Sequence, residues 1–257
     1  MSVKKPLLGQ PLFTNDYESL KNAYKKSKKR TVISNISNIE LEKQDFGTLL
    51  GKGEWLNDKI IDAWGSILNA EYEHVLVFNV FFNDSMRLAD GEQRRQKYFK
   101  VRKEEKDEYF PDAHIKMMLF PLNVGGNHWI LYSYNVDKNE VRRLNSLCSG
   151  KSKTKVPREL KILLNYAIPR IKKVFGIPYT KKNKYPKYQG TSATIMPQQN
   201  NQNDCGMFVC AYMECLAAFG KIKNNCLPFP KKQWKDNMVN LRWKLGVILH
   251  TWEKNQQ

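Results

Sequence analysis

Hydrophobic and polar positions alternate in two distinct rhythms along this chain. In EWLNDKIIDAWGSIL the apolar residues Ile60, Ile61, Trp64 and Leu68 recur at helical spacing, with Asn57 or Asp58 placed to cap the helix. VLVFNVFF, Val75 to Phe82, is an apolar, β-rich run of strand length. Two further strands are predicted in IKMMLFPLNV and HWILYSYNV, joined by a Gly-Gly-Asn turn. Asp137 to Asn139 form a second turn, leading into EVRRLNSL. If the strands on either side of it form a hairpin, the chain returns past His128 at about Leu144 to Ser146.

Charged residues crowd RRQKYFKVRKEEKDE, an exposed connection or helix, and KKNKYPKYQG reads as a basic loop. PRELKILLNYAIPRIKKVF has helical spacing at Leu160, Leu163, Leu164, Ala167 and Ile171, with Pro169 as an interior flaw. From Cys205, CGMFVCAYMECLAAFG predicts a buried helix with Phe208, Val209, Tyr212, Met213 and Leu216 inward and Gly220 as its stop. Lys231 to His250 predicts a last amphipathic helix. Helices and strands mix without βαβ alternation, so the expected class is α+β.

No Gly/Ser-rich or Pro-rich linker divides the patterned sequence from Thr31 to Trp252. We expect residues 1–30, ending in KNAYKKSKKR, to be a basic extension or short helical preamble without its own core. Residues 31–257 then form one domain. A chain of 257 residues, 41% hydrophobic and 12% aromatic, has ample material for a core. Its net charge of +18 suits acidic protein surfaces, nucleic acid or an anionic membrane, without choosing among them, and equally suits a solvated lysine-rich surface. No apolar stretch approaches the length of a membrane span, and MSVKKPLLGQPLF lacks the sustained apolar core of a secretory signal. Five cysteines with no pairing pattern argue against a disulfide framework. An intracellular, reducing setting, nucleus or cytoplasm, is expected.

Cys205 is the candidate nucleophile, because it stands where the polar run QQNNQND gives way to an apolar helix. A helix N-terminus favours the thiolate, and Gly206 beside it would leave room for a substrate carbonyl. An isolated cysteine is more often structural, as Cys210 and Cys215 are expected to be. His128 leaves the Gly-Gly-Asn turn at the start of a strand, where an imidazole can reach a cleft edge. Asn145 could accept its ring N–H and fix the tautomer. Each of these two residues also has an ordinary structural reading. Cys205, Cys210 and Cys215 recur every five residues, which turns each side chain by roughly 140° on a helix, so the sulfurs diverge. Neither CxxC nor HxxxH occurs, and neither a dinucleotide nor a P-loop glycine pattern is present. No metal and no cofactor is expected.

The blocks Trp55-Leu56-Asn57-Asp58, His128-Trp129, Asn145-Ser146-Leu147 and PQQNNQNDCG, Pro197 to Gly206, occur in one order. Together they resemble the ubiquitin-like-protein proteases, the Ulp or sentrin-protease family, over roughly Thr31 to Trp252. The resemblance implies a papain-like, adenovirus-protease-like fold with a central mixed sheet flanked by helices. It implies Cys205 as nucleophile, His128 as general base, Asn145 as the orienting residue and Gln199 as oxyanion donor. Trp55 and Trp129 match tryptophans that clamp a Gly-Gly tail, and Asp58 matches an aspartate that contacts the modifier. Asn145 stands where the family usually has aspartate, and Gln202 where it often has glycine.

The implied activity is a peptidase or isopeptidase cutting after the Gly-Gly tail of a ubiquitin-like modifier or its conjugates, SUMO first among the candidates. A second reading is a maturation protease of a virus or mobile element on the same fold. It would cut Gly-containing polyprotein sites, and nucleic acid would be its partner. A third is a catalytically weak protein that binds a modifier without cleaving it.

Overall fold

The structure is a computed structural model that describes residues 5–11, 14–82, 115–148, 156–157, 160–161, 163–174, 176–178, 186–190, 196–222, 226–227 and 230–253. The charged stretch RRQKYFKVRKEEKDE and His114 lie outside the described residues, as does most of KKNKYP. The described helices and strands are α1 (Thr14–Lys26), β1 (Val32–Ile36), β2 (Ile39–Glu42), α2 (Lys43–Leu50), α3 (Asp58–Glu71), β3 (Val75–Val77), β4 (Met117–Val124), β5 (His128–Asn135), β6 (Glu140–Leu144), α4 (Ile168–Val174), β7 (Lys187–Gln189), α5 (Cys205–Phe219) and α6 (Met238–Thr251).

Among the described residues the main sheet runs β3-β4-β5-β6-β7, with parallel pairs at both edges and antiparallel pairs in the middle. Such a mixed sheet with helices beside it is the α+β arrangement expected. The two-residue period of β4 and β5 sends alternate side chains to opposite faces. Met117, Leu119, Trp129 and Leu131 join the larger core, which also holds side chains of α2, α3, α5 and α6. Met118, Phe120, Leu122, Ile130, Tyr132 and Tyr134 fill a second core with Leu160, Leu163, Leu164 and Ile171. Both faces are covered, so the central strands read as near-continuous apolar runs.

The helix expected around Trp64 forms as α3, and Asn57 caps it by accepting from the Ile60 N–H at 3.1 Å. Helix α5 is buried on every side from Cys205 to Ala217, as expected of a helix without a polar face. Described residues of the first segment dock on the rest of the chain. Leu8 and Leu20 are fully buried in the larger core, and the Leu7 N–H donates to Glu214 of α5 at 2.7 Å.

Several elements differ from expectation. The strand predicted for Val75 to Phe82 ends at Val77. Beyond it the Val80 N–H donates to Asp62 and the Phe82 N–H to Asn79, turning the chain so that Phe78 and Phe82 pack around Phe120. Pro169 does not interrupt one long helix. Helical turns continue without a break from Leu163 to Val174, π-type over Leu163–Ala167 and α-helical as α4 from Ile168, so Pro169 sits just past the change in turn geometry. The basic loop contains an edge strand, Lys187–Gln189, parallel to β6, with Tyr188 packed on the second core. The last helix is divided at Asn237 into a 3-10 segment and α6. Cys215 and Cys226, expected to be unpaired, are joined as a disulfide, their Cα atoms 5.6 Å apart. Cys205 and Cys210 are free thiols.

Candidate active site

The β5–β6 hairpin brings the first two site residues together. Its register pairs Leu131 with Leu144, so the residue after Leu144 lies alongside the start of β5. The Gly125–Gly126 turn, with φ of 70° and 79°, delivers His128 there, a left-handed conformation that glycine adopts without strain. His128 Nε2 lies 2.8 Å from Asn145 Oδ1.

That contact defines the tautomer. Asn145 Oδ1 also accepts from the Leu147 backbone N–H at 2.9 Å, and a backbone N–H can only donate. The Asn145 oxygen is therefore the atom facing the imidazole, and Nε2 carries the ring proton. Nδ1, buried and without a hydrogen-bond partner among the described residues, keeps its lone pair.

Cys205 opens α5 where that helix meets β5 and is 1% exposed. Burial pushes its thiol above the ordinary value. The backbone N–H groups of Trp129, Gly206 and Cys205 itself pull the other way, and the Asp204 carboxylate pushes up again. The lowering expected from the helix terminus is present but smaller than the desolvation. The Trp129 N–H, one residue after His128, places the sulfur beside the start of β5.

Gly206 also lies at a close packing contact. A Cβ there would lie 2.8 Å from Leu56 Cβ and 3.2 Å from Trp129 Cδ1. Glycine lets α5 pack directly onto the Leu56 segment and the Trp129 indole. The Trp129 Nε1–H reinforces the same junction by donating to the Leu56 carbonyl at 2.9 Å.

Gln199 is 8% exposed and tightly held. Its backbone N–H donates to the Ser146 carbonyl at 3.0 Å. Its side-chain Nε2 donates to the Asn201 carbonyl at 2.7 Å, and its Oε1 accepts from the Ser146 hydroxyl. A carbonyl can only accept, so the amide orientation is fixed, and one Nε2 hydrogen remains for a further acceptor. Gln198 ties the same strip to Asn145 by donating to its backbone carbonyl at 3.2 Å.

The two tryptophans differ. Trp55 is 44% exposed, whereas Trp129 is 5% exposed and part of the larger core. Asp58 stands in the first turn of α3, half-buried. Leu147, 45% exposed, puts an apolar side chain two residues beyond Asn145. Among the described residues no group of three or more His, Cys, Asp or Glu side chains could hold a metal ion. Nor is any described helix long and apolar enough to cross a membrane.

One part of the site was not anticipated: the buried pair of Asp204 and Arg242. Arg242 Nε donates to Asp204 Oδ1 at 3.0 Å, and Nη2 lies 2.8 Å from the same oxygen. The guanidinium also donates to the carbonyls of Thr48, Leu49, Glu54 and Asn203. A signal for it exists in the sequence. Arg242 lies four residues after Met238 and three before Leu245, placing a cation on the apolar stripe of α6.

Residues 54–246 match the Ulp1 protease family, C-terminal catalytic domain. Ubiquitin-like-specific protease 1 of Saccharomyces cerevisiae is 28% identical over 186 residues, 72% of this chain and 27% of that protein. Human sentrin-specific protease 3 is 28% identical over 184 residues, 69% of this chain and 27% of that protein. The chain thus spans about a quarter of the length of these relatives. Among solved structures, SUMO protease Ulp1 with its catalytic cysteine oxidised to a sulfenic acid superposes with a TM-score of 0.71 at 21% identity, covering 96% of this chain and 98% of that one. The C-terminal Ulp1 protease domain in complex with Smt3, the yeast ortholog of SUMO, gives 0.68 at 21% identity, covering 98% of each chain. These likenesses establish the fold, and the match over residues 54–246 establishes the kinship: the chain belongs to the Ulp1 protease family.

Proposed function

We propose that this chain is a cysteine peptidase and isopeptidase that cleaves after the Gly-Gly tail of a ubiquitin-like modifier, with SUMO the first candidate. The observation that carries the reading is the fixed histidine tautomer. Asn145 holds Nε2–H and leaves the Nδ1 lone pair without a partner among the described residues, while the buried Cys205 thiol opens α5 against the backbone of Trp129, the residue after His128. The matched family and the names of the relatives support the substrate class.

His128 Nδ1 takes the Cys205 proton, and the thiolate attacks the carbonyl of the last glycine. The developing oxyanion is met by the spare Nε2 hydrogen of Gln199 and by first-turn N–H groups of α5. Protonated Nδ1 then returns its proton to the departing amine. Water hydrolyses the thioester with the same nitrogen as base. Exposed Trp55 flanks the tail, and a tail without side chains fits a narrow channel beside an indole.

The test is turnover of a substrate panel: SUMO, NEDD-type and ubiquitin fusions with intact Gly-Gly tails, against Gly-containing polyprotein peptides. Cleavage after Gly-Gly of at least one modifier, lost when the tail becomes Ala-Ala, is the expected result. Cleavage of the peptides alone would move the assignment to a maturation protease, and no cleavage of any member would remove the enzymatic reading.

A further inference from the structure

Asp204 immediately precedes the nucleophile and occupies the N-cap position of α5, where aspartate is among the preferred residues. Yet it does not cap. Its backbone has φ −90° and ψ 1°, away from the extended conformation of a capping residue, and its side chain makes no bond to the helix. One carboxylate oxygen, Oδ1, is held by Arg242, and the other, Oδ2, accepts from Asn201 Nδ2 at 2.7 Å. Asn201 Oδ1 meanwhile accepts from the Asn203 and Asp204 N–H groups, each at 3.1 Å. The helix-terminus donors just before Cys205 are thereby satisfied, while the N–H groups of Cys205 and Gly206 favour the thiolate.

Released from Arg242, the Asp204 carboxylate and its backbone could move to the capping arrangement and accept from N–H groups in the first turn of α5, as N-cap carboxylates do. It would occupy the donors that a thiolate or oxyanion needs and bring its negative charge against both. Arg242 prevents this from a distant part of the chain. Its other donors grip the carbonyls of Glu54 and Asn203, so the guanidinium is fixed relative to both the Trp55–Leu56 segment and the strip before Cys205.

We infer that Arg242 is a positioning residue whose task is to hold the Asp204 carboxylate off the N-terminus of α5, keeping the first-turn N–H groups open for the reaction at Cys205. The inference rests on the reading of Cys205 as nucleophile and concerns a residue that touches neither substrate nor sulfur.

Second-site rescue tests it. Arg242→Gln, Asp204→Ala and the double variant are compared for the rate of Cys205 alkylation by iodoacetamide, kcat and KM on a Gly-Gly-tailed modifier substrate, and melting temperature. Labelling of the wild type by a Gly-Gly-ended electrophilic modifier probe is the control. Its absence would count against the proposed function and leaves the alkylation comparison to decide the role of Arg242. Arg242→Gln is expected to slow alkylation and kcat by about tenfold or more, with KM changed less. Adding Asp204→Ala, which removes the competing carboxylate, should restore most of that loss even if melting temperature falls further. A merely structural Arg242 predicts the reverse, the double variant being slower than either single one, and that result would overturn the inference. Should Arg242→Gln not fold, the double variant alone decides: near-wild-type alkylation supports the inference, and a slow or unfolded double variant refutes it.

Discussion

His128 and Asn145 meet through one oxygen, and that oxygen is also held by the Leu147 backbone, at 2.8 and 2.9 Å respectively. The shared acceptor makes the histidine tautomer a property of the hairpin rather than of the residue. Replacing Asn145 by alanine removes it and frees the ring to rotate or change tautomer, so kcat should fall by roughly 10²–10⁴. Asn145→Asp keeps both bonds and adds a charge that favours imidazolium. Activity should stay within the same order of magnitude, and the basic limb of the pH–rate profile should extend upward. Profiles of kcat/KM against pH for the two variants check this. Wild-type behaviour of Asn145→Ala would remove Asn145 from the triad.

Gln199 offers a separate test, because both ends of its amide are engaged and only one hydrogen is left over. Gln199→Ala should lower kcat by about 10²–10³ with little change in KM. Ser146→Ala, which releases the Oε1 end, should act in the same direction but less. A loss confined to KM would show that Gln199 only holds substrate.

The tryptophans should separate cleanly. Trp55 is exposed, so Trp55→Ala should raise KM for full modifiers while shifting stability by no more than about 0.5 kcal/mol. Trp129 belongs to the core, so Trp129→Ala should cost about 3–5 kcal/mol as well as activity. Melting curves beside KM measurements distinguish the two. Equal thermal effects would contradict the burial difference.

Glu214 predicts a pH dependence of stability unrelated to catalysis. Burial raises its carboxyl from 4.5 to about 7, against the opposing influence of the Leu7, Leu8 and Tyr72 donors. The folded state therefore holds a proton that the unfolded state has released. This contribution is fully present below about pH 4.5 and is lost as pH rises through about 7, on the order of 3 kcal/mol in all. Glu214→Gln cannot titrate, so the difference in unfolding free energy between wild type and variant should change across that window. A difference constant from pH 4 to 8 would contradict the assignment.

Local rhythm was a sound guide where one face or both were apolar. The turn at Gly125–Gly126, the hairpin that returns Asn145 to His128, the Asn57 cap and the buried α5 all follow from spacing and turn residues. What was not legible depends on contacts distant in sequence. The Val75–Phe82 run looks uniform, yet Asp62 on α3 bends it after Val77. The Lys187–Gln189 strand owes its existence to β6, nearly fifty residues earlier, and carries only Tyr188 as an apolar anchor. Cys226 pairs with Cys215 at a separation of 11 residues that no cysteine pattern announces. Arg242 stands out on the apolar stripe of α6, but nothing local marks Asp204, 38 residues away, as its partner.

Cys205 as the attacking atom is the central claim, and covalent capture tests it most directly. Wild-type chain, Cys205→Ala and Cys148→Ala are each mixed with a ubiquitin-like modifier ending in Gly-Gly and an electrophile, and the products are weighed intact and mapped by peptide. The account predicts one adduct per chain on Cys205 in the wild type and in Cys148→Ala, and none in Cys205→Ala. An adduct on Cys148, or undiminished capture by Cys205→Ala, would contradict it.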